Sequence, residues 1–244
     1  MLVTRPEPQN RALASLLEQH GAKVLLMPTL CIEPLVVTDF PQLHHDLILF
    51  ISANAVRYGL PILQQRGEGC LARVRMGAVG RQTASCLQQA GFPPDLMPEH
   101  FNSEGLLALP ELQEMAGKHV LIVRGQGGRE MLADGLRQRG ATVDYLECYR
   151  RCLPRADYKE ILAQGRAGEI DVIVTTSNEG LENFVRLCGS LNWPFSLALV
   201  VASQRGKKLA SRLGFKGAIM VLDEVSNAGI LKALQQWRRT APPC

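Results

Sequence analysis

Aromatic residues are scarce, at 5% of 244, and the net charge is only +4, from 27 Lys and Arg against 23 Asp and Glu. A nucleic-acid binder needs a clustered basic face with stacking aromatics. Here the basic residues are spread through turns and helix starts, so no nucleic-acid partner is expected. Long apolar runs are also missing: none approaches the ~20 residues of a membrane-spanning helix, and no membrane partner is expected. Met1-Leu2-Val3-Thr4-Arg5-Pro6 reaches Arg-Pro too early for a secretory signal and reads as a strand from residue 2. The seven cysteines (31, 70, 86, 148, 152, 188, 244) contain no CxxC pair. Cys148/Cys152 has no histidine at ligand spacing, and His44-His45 reads as a polar linker, so zinc chemistry is set aside. Most cysteines sit in apolar segments, as Cys86 does, which fits free thiols in a reducing, cytoplasmic compartment. Ser-His-Asp arrangements, HExxH and paired metal carboxylates are absent, and neither Gly80-Arg81-Gln82-Thr83 nor Ile51-Ser52-Ala53 is a GxSxG elbow. That points to a reaction in which holding the substrate does most of the work.

What the chain does contain is a repeat. Its length exceeds the usual single domain, so two domains are expected. A shift of 119 aligns residues 2–32 on 121–151 without a gap, pairing Leu2/Leu121, Arg5/Arg124, Leu17/Leu136, Gly21/Gly140 and Val24/Val143 as identities. Each copy reads as strand, turn, amphipathic helix, Gly-Ala, strand, with glycine ending the helix. A second unit also occurs twice: an apolar strand from Asp46 to Ile51 and one from Asp171 to Thr176 each end in a serine, Ser52 or Ser177. Further strands and helices follow both, including a fifth strand near 95–98 and 219–222 and helices over 103–115 and 226–239.

Alternation of this kind implies an α/β fold of two similar doubly wound parallel-sheet domains in the flavodoxin-like order 2-1-3-4-5. The halves can combine consecutively or by exchange. Exchange gives a discontinuous domain, 1–36 plus 154–244, with an inserted domain, 37–153. The connections 31–42 and 149–157, extended and proline-containing, would then run side by side as a two-stranded hinge. The exchanged arrangement is preferred, chiefly on the resemblance given below.

In doubly wound sheets ligands bind outside the carboxyl ends of the strands. Those ends carry Thr4-Arg5-Pro6, Ser52-Ala53-Asn54, Gly80-Arg81-Gln82-Thr83, Arg124-Gly125-Gln126-Gly127-Gly128-Arg129, Thr176-Ser177-Asn178 and Ala202-Ser203-Gln204. Helix-start amides favour anions, while plain N-capping explains any one serine. Recurrence in both halves predicts two anion-binding surfaces around a cleft. The 124–129 run is neither GxGxxG nor GxxxxGK[ST], and stands equally as a structural turn.

At these residues the chain resembles uroporphyrinogen-III synthase over essentially its full length. The likeness rests on Val3-Thr4-Arg5-Pro6, Gly21-Ala22, Pro28, Ser52-Ala53-Asn54-Ala55-Val56, Val79-Gly80-Arg81-Gln82-Thr83-Ala84, Ser103-Glu104-Gly105-Leu106-Leu107, Gly127-Gly128-Arg129-Glu130 and Tyr149-Arg150-Arg151. It implies the exchanged, hinged fold and a hydro-lyase of tetrapyrrole (heme, porphyrin) biosynthesis. That enzyme closes hydroxymethylbilane to uroporphyrinogen III, losing water and inverting ring D, without metal or organic cofactor.

The resemblance makes Tyr149 the candidate proton donor to the leaving hydroxyl. Ser52, Thr83 and Ser177 match hydroxyl residues lining the family's cleft. Ala53, Asn54, Gly127 and Asn178 stand beside them as substrate-binding candidates. Arg5 and Arg124 are added here as repeat-related strand ends. Where many members carry Gly-x-x-Thr in the second copy of the Gly80–Thr83 motif, this chain has Ala202-Ser203-Gln204-Arg205, with Arg205 the substitute carboxylate partner. Folding the bilane so that the crowded carbon of ring D attacks is an orientation effect, of a kind that supplies roughly 7–11 kcal/mol at best. The expected state is a monomer. The rivals are a non-catalytic two-domain protein that binds an anionic small molecule, and a nucleotide-dependent transferase.

Overall fold

The computed structural model describes all residues except 39–43, 66–70, 72–73 and 241–244. Cys70 and Cys244, part of the 31–42 connection and the segment just beyond the helix ending at Gln65 therefore lie outside the described residues. Along the chain the elements are β1 (Leu2–Val3), α1 (Gln9–Gln19), β2 (Leu25–Leu26), β3 (Cys31–Pro34), β4 (Leu47–Phe50), α2 (Ala53–Gln65), β5 (Arg75–Ala78), α3 (Arg81–Gln89) and α4 (Ser103–Ala108). They continue with β6 (His119–Gly125), α5 (Met131–Gln138), β7 (Thr142–Cys152), α6 (Lys159–Arg166), β8 (Val172–Val174), α7 (Asn178–Cys188), β9 (Ala198–Val201), α8 (Gln204–Leu213), β10 (Ile219–Val221) and α9 (Asn227–Thr240).

The chain divides into two compact units, Met1–Cys31 with Cys152–Cys244, and Ile32–Arg151. The first holds a parallel sheet in the order β2-β1-β8-β9-β10, which is the doubly wound order 2-1-3-4-5. In the second the order is β3-β7-β6-β4-β5, with β7, β6, β4 and β5 parallel. It is the same pattern when β6 is counted as strand one. Leu96 bridges Gly77 beside β5, so the fifth strand expected near 95–98 is a single bridge, whereas β10 is a full strand.

Parallel strands of this type are apolar on both faces, because helices cover both. β4 (Leu-Ile-Leu-Phe) and β9 (Ala-Leu-Val-Val) are buried at every position. Side chains of a strand alternate between faces. Ile48 and Phe50 thus pack with Leu60, Leu121 and Val123, while Leu47 and Leu49 pack with Leu106, Ile122 and Leu136 on the other side. The first unit repeats the scheme, with Leu2, Ile173 and Leu199 against Phe184 and Leu209, and Val3, Val174 and Val200 against Leu13, Leu17 and Ile230. Gly21 and Gly140, at φ 79° and 88°, take the left-handed conformation that ends α1 and α5.

Three further expectations change. The helix expected over 103–115 stops at Ala108: Pro110 holds Leu109 extended (φ −61°, ψ 135°) and a short 3-10 turn, Pro110–Leu112, follows. His45 is not part of a solvated linker, because its ring is 5% exposed and lies 3.2 Å from Asp144. Finally, Cys31 and Cys152 form a disulfide rather than two free thiols. They sit on β3 and β7, the neighbouring strands that carry the chain between the units. Leu35 N–H donates to the Cys148 carbonyl at 3.0 Å and Arg150 pairs with Glu33 at 2.7 Å. These partners run in opposite sequence order, which places residues 31 and 152 face to face with Cα atoms 5.2 Å apart, within disulfide range. The two sulfurs and the Glu33 carboxylate lie within 4.8 Å of one another, but paired sulfurs are not thiolate ligands. Cys86, Cys148 and Cys188 are free.

Candidate functional site

Because β4 to β7 are parallel, Ser52, the Gly80–Thr83 turn, the glycine run after β6 and Tyr149 all reach one edge of the second unit's sheet. Tyr149 arrives there through a register shift between β6 and β7, which sets Gly125 opposite it. Its ring is buried, 3% exposed, in the layer with Val56 and Leu146. The Tyr149 hydroxyl lies 3.0 Å from Ser52 Oγ, and Ser52 Oγ accepts the Ala55 N–H at 2.9 Å. Ser52 therefore caps α2 and touches the phenol at once. Gly125 completes the seat: its backbone lies against the ring, and Gln126 N–H donates to the Tyr149 carbonyl at 2.7 Å.

Arg124 is placed differently from the expectation. It is 5% exposed. Its Nη1 donates to Glu130 at 2.9 Å, its Nε lies 3.2 Å from Glu147, and its guanidinium covers the Tyr145 ring at 4.3 Å. Tyr145 donates its hydroxyl proton to Glu130. That bond, with Arg124 behind it, holds the Glu130 carboxyl below its ordinary range, while burial and then Glu130 push the Tyr145 phenol up. Glu147 also accepts the Gly127 N–H at 3.1 Å. The 125–130 run is thus a turn pinned by its own ion pairs. Arg124 and the Gly127 amide already have partners, while Gly127 and Gly128 take φ of 71° and 123°, which glycine accommodates. Thr83 is buried in the first turn of α3, 4% exposed, and Ala53 and Asn54 open α2, half-buried.

The first unit collects its residues in the same way. Arg5, half-buried just after β1, donates to Asn227 Oδ1 at 2.8 Å and to Gln9 Oε1 at 3.0 Å. Among the described residues it has no carboxylate partner, and burial lowers its pKa. Ser177 Oγ accepts the Gly180 N–H at 3.0 Å and caps α7, whose first residue is Asn178. Ser203 caps α8 by accepting from Gly206, and Arg205 is exposed in that first turn. Thr29 ties the edge together, donating to the Gly180 carbonyl at 2.9 Å.

Sequence reasoning missed Asn227, Glu130 and Glu147, the partners of the two arginines. It also missed a spacing that was there to be read. Asn102, Ser177, Ser203 and Ser226 each accept the N–H of a glycine three residues on. At Gly105 and Gly229 a Cβ would run into the carbonyls of His100 and Glu224, so S/N-x-x-G marks a tight capped start.

Two doubly wound units joined by paired strands, each presenting capped helix starts at a carboxyl edge and one of them a buried phenol, define a two-domain α/β protein. The family model described as uroporphyrinogen-III synthase HemD matches residues 11–230. The uroporphyrinogen-III synthases of Salmonella typhimurium and Escherichia coli are each 36% identical over 247 residues, covering 96% of this chain and 99% of theirs. This chain belongs to the uroporphyrinogen-III synthase family. Two solved structures share its fold. The Thermus thermophilus synthase, a triple mutant, has a TM-score of 0.67 at 20% identity, covering 98% of both chains. The Helicobacter pylori enzyme has a TM-score of 0.63 at 16% identity, covering 89% of this chain and 94% of that one.

Proposed function

We propose that this chain cyclises hydroxymethylbilane to uroporphyrinogen III, losing water and inverting ring D, as a cytoplasmic monomer. Family membership supports the reaction class. Among the described residues no helix is long and apolar enough to cross a membrane. The single observation that carries the mechanism is the Tyr149 hydroxyl at the carboxyl edge, 3.0 Å from the capping hydroxyl of Ser52.

The terminal pyrrole nitrogen pushes out the hydroxyl, which leaves as water once Tyr149 protonates it, giving an azafulvene electrophile. Ring D attacks through its substituted carbon. The spiro intermediate then fragments and recloses with that ring turned over. A positioned acid contributes about 10²–10⁴-fold to such a step. The repeat makes the division of labour concrete. Under the 119-residue shift Tyr149 corresponds to Leu30, so the repeat-equivalent position of the first unit carries no phenol.

Carboxylates are held by Arg5 and by the helix starts at Ser52-Ala53-Asn54, Thr83 and Ser177-Asn178, with Arg205 in reserve. Arg5 suits this task because its two hydrogen bonds go to neutral amides and leave its charge uncompensated. Arg124 and Gly127 serve the same reading by holding the turn on which Tyr149 rests. In the test, hydroxymethylbilane consumption rises in proportion to added protein, without nucleotide. A nucleotide requirement would select a transferase, and tight tetrapyrrole binding without turnover would select a binding protein.

A further inference from the structure

We infer that Ser52 is the positioning residue of Tyr149: it donates its hydroxyl proton to the phenol oxygen and so leaves the phenol's own proton free for the substrate. The inference rests on the catalytic reading of Tyr149 and assigns Ser52 a task beyond capping or touching the substrate.

The argument is one of hydrogen-bond inventory. A serine hydroxyl has one proton and two lone pairs, and a phenol likewise donates once. One Ser52 lone pair is taken by the Ala55 N–H at 2.9 Å. That N–H belongs to the first turn of α2, a helix of 13 residues, so it carries the positive end of the helix dipole. An oxygen that accepts such a bond becomes a stronger donor through its own proton. Among the described residues the only other polar contact of Ser52 Oγ is the Tyr149 hydroxyl at 3.0 Å. Ser52 keeps its proton and one lone pair, so the 3.0 Å contact admits a donor on either side. In the inferred polarity the chain runs from the Ala55 N–H to Ser52 Oγ and from the Ser52 O–H to Tyr149 Oη, with the Tyr149 O–H turned onward.

When that last proton passes to the departing hydroxyl, negative charge develops on an oxygen already held by the Ser52 donor at a helix start. The opposite polarity would tie the phenol proton to Ser52 and leave it poorly placed to leave. The ring cannot swing away to find another partner. Val56 and Leu146 share its buried layer, Gly125 lies directly against it, and the Tyr58 ring stands 6.0 Å off, tilted.

The experiment is a double-mutant cycle of Ser52→Gly and Tyr149→Phe, with kcat and KM measured separately and Ser52→Thr as the conservative variant. Glycine is tolerated at an N-cap nearly as well as serine, so Ser52→Gly removes the hydroxyl while keeping the helix start. We expect Ser52→Gly to lower kcat about tenfold or more with KM within about twofold, no further loss of kcat when Tyr149 is already Phe, and recovery in Ser52→Thr. A raised KM with unchanged kcat, or the same fold-loss in both backgrounds, overturns the inference. Wild-type turnover in Tyr149→Phe alone defeats the catalytic reading instead, which keeps the two failures apart. Should Ser52→Gly not fold, Ser52→Cys, with its weak S–H donor, is read in its place: lowered kcat supports the inference and wild-type kcat contradicts it.

Discussion

The ring of Tyr149 lies across the backbone of Gly125 so closely that a Cβ there would fall 2.6 Å from the ring carbons Cε2 and Cζ. The 125 position is empty of side chain because the phenol occupies that space. The ring is 3% exposed and shares its buried layer with Val56 and Leu146, so it has little room to retreat.

Gly125→Ala should therefore displace the phenol from Ser52. Overpacking of this kind costs about 1–3 kcal/mol. We expect a lower urea midpoint and a kcat reduced about tenfold or more. Gly168→Ala, where a Cβ meets nothing within 4 Å, should lose stability from its φ of 78° but retain wild-type kcat. Equal activity in the two variants would show that the ring's seat is irrelevant.

The two repeat-related arginines should separate in kinetics. Arg5→Gln removes a cation without a carboxylate partner, and we expect KM to rise about five- to tenfold with a shallower dependence on salt. Arg124→Gln breaks the contacts to Glu130 and Glu147. Both acids are partly exposed, which weakens the pairs through solvent screening. We expect a lower unfolding midpoint, a smaller rise in KM than for Arg5→Gln, and reduced kcat as the turn under Tyr149 loosens. A larger KM effect at Arg124 than at Arg5 would reverse these roles.

Acid should weaken the second unit through identifiable groups. Glu130 is held below its ordinary 4.5 by Tyr145 and then Arg124, and Asp46 below 3.8, first by the His119 N–H. A carboxyl depressed in the folded state contributes stability above its unfolded pKa and loses it as pH falls through the folded value. Tyr145, raised above 10 by burial and then Glu130, works in the opposite sense, its contribution lost as pH rises through the raised value. Urea midpoints measured as pH falls below about 5 should decline less steeply in Glu130→Gln than in wild type. Superimposable curves would remove Glu130 from the account.

The cysteines offer a chemical count. Protein unfolded without reductant should titrate two fewer thiols than after reduction, because Cys31 and Cys152 are paired. Their sequence separation of 121 corresponds to about 5 kcal/mol in the chain-entropy model, so reduction should lower the urea midpoint. Cys148 and Cys188, pushed up to about 12 by burial, should resist alkylation in the native state. An unchanged thiol count on reduction would dispose of the pairing.

The repeat made the sheets legible, since identical spacings at a shift of 119 demand equivalent strands, and apolar runs such as Leu47-Ile48-Leu49-Phe50 announce burial on both faces. The different fates of Arg5 and Arg124 were written there too. The same shift sets Arg11 and Pro28 where the second copy has Glu130 and Glu147, so only Arg124 meets acids. Contacts that join unrelated parts of the chain were not legible. Ser52 and Tyr149 are 97 residues apart, and neither the hydroxyl pair nor the Cys31–Cys152 bridge has any local signature, because strand order and register alone bring them together. The broken helix at Pro110 was readable from proline chemistry and was overridden by an apolar periodicity that continues past it.

Most direct is the isomer composition of the macrocycle formed from hydroxymethylbilane by a catalytic amount of this protein, resolved by chromatography after oxidation. The account predicts predominantly type III over many turnovers, against type I in buffer alone. Type I product at the buffer rate would contradict it.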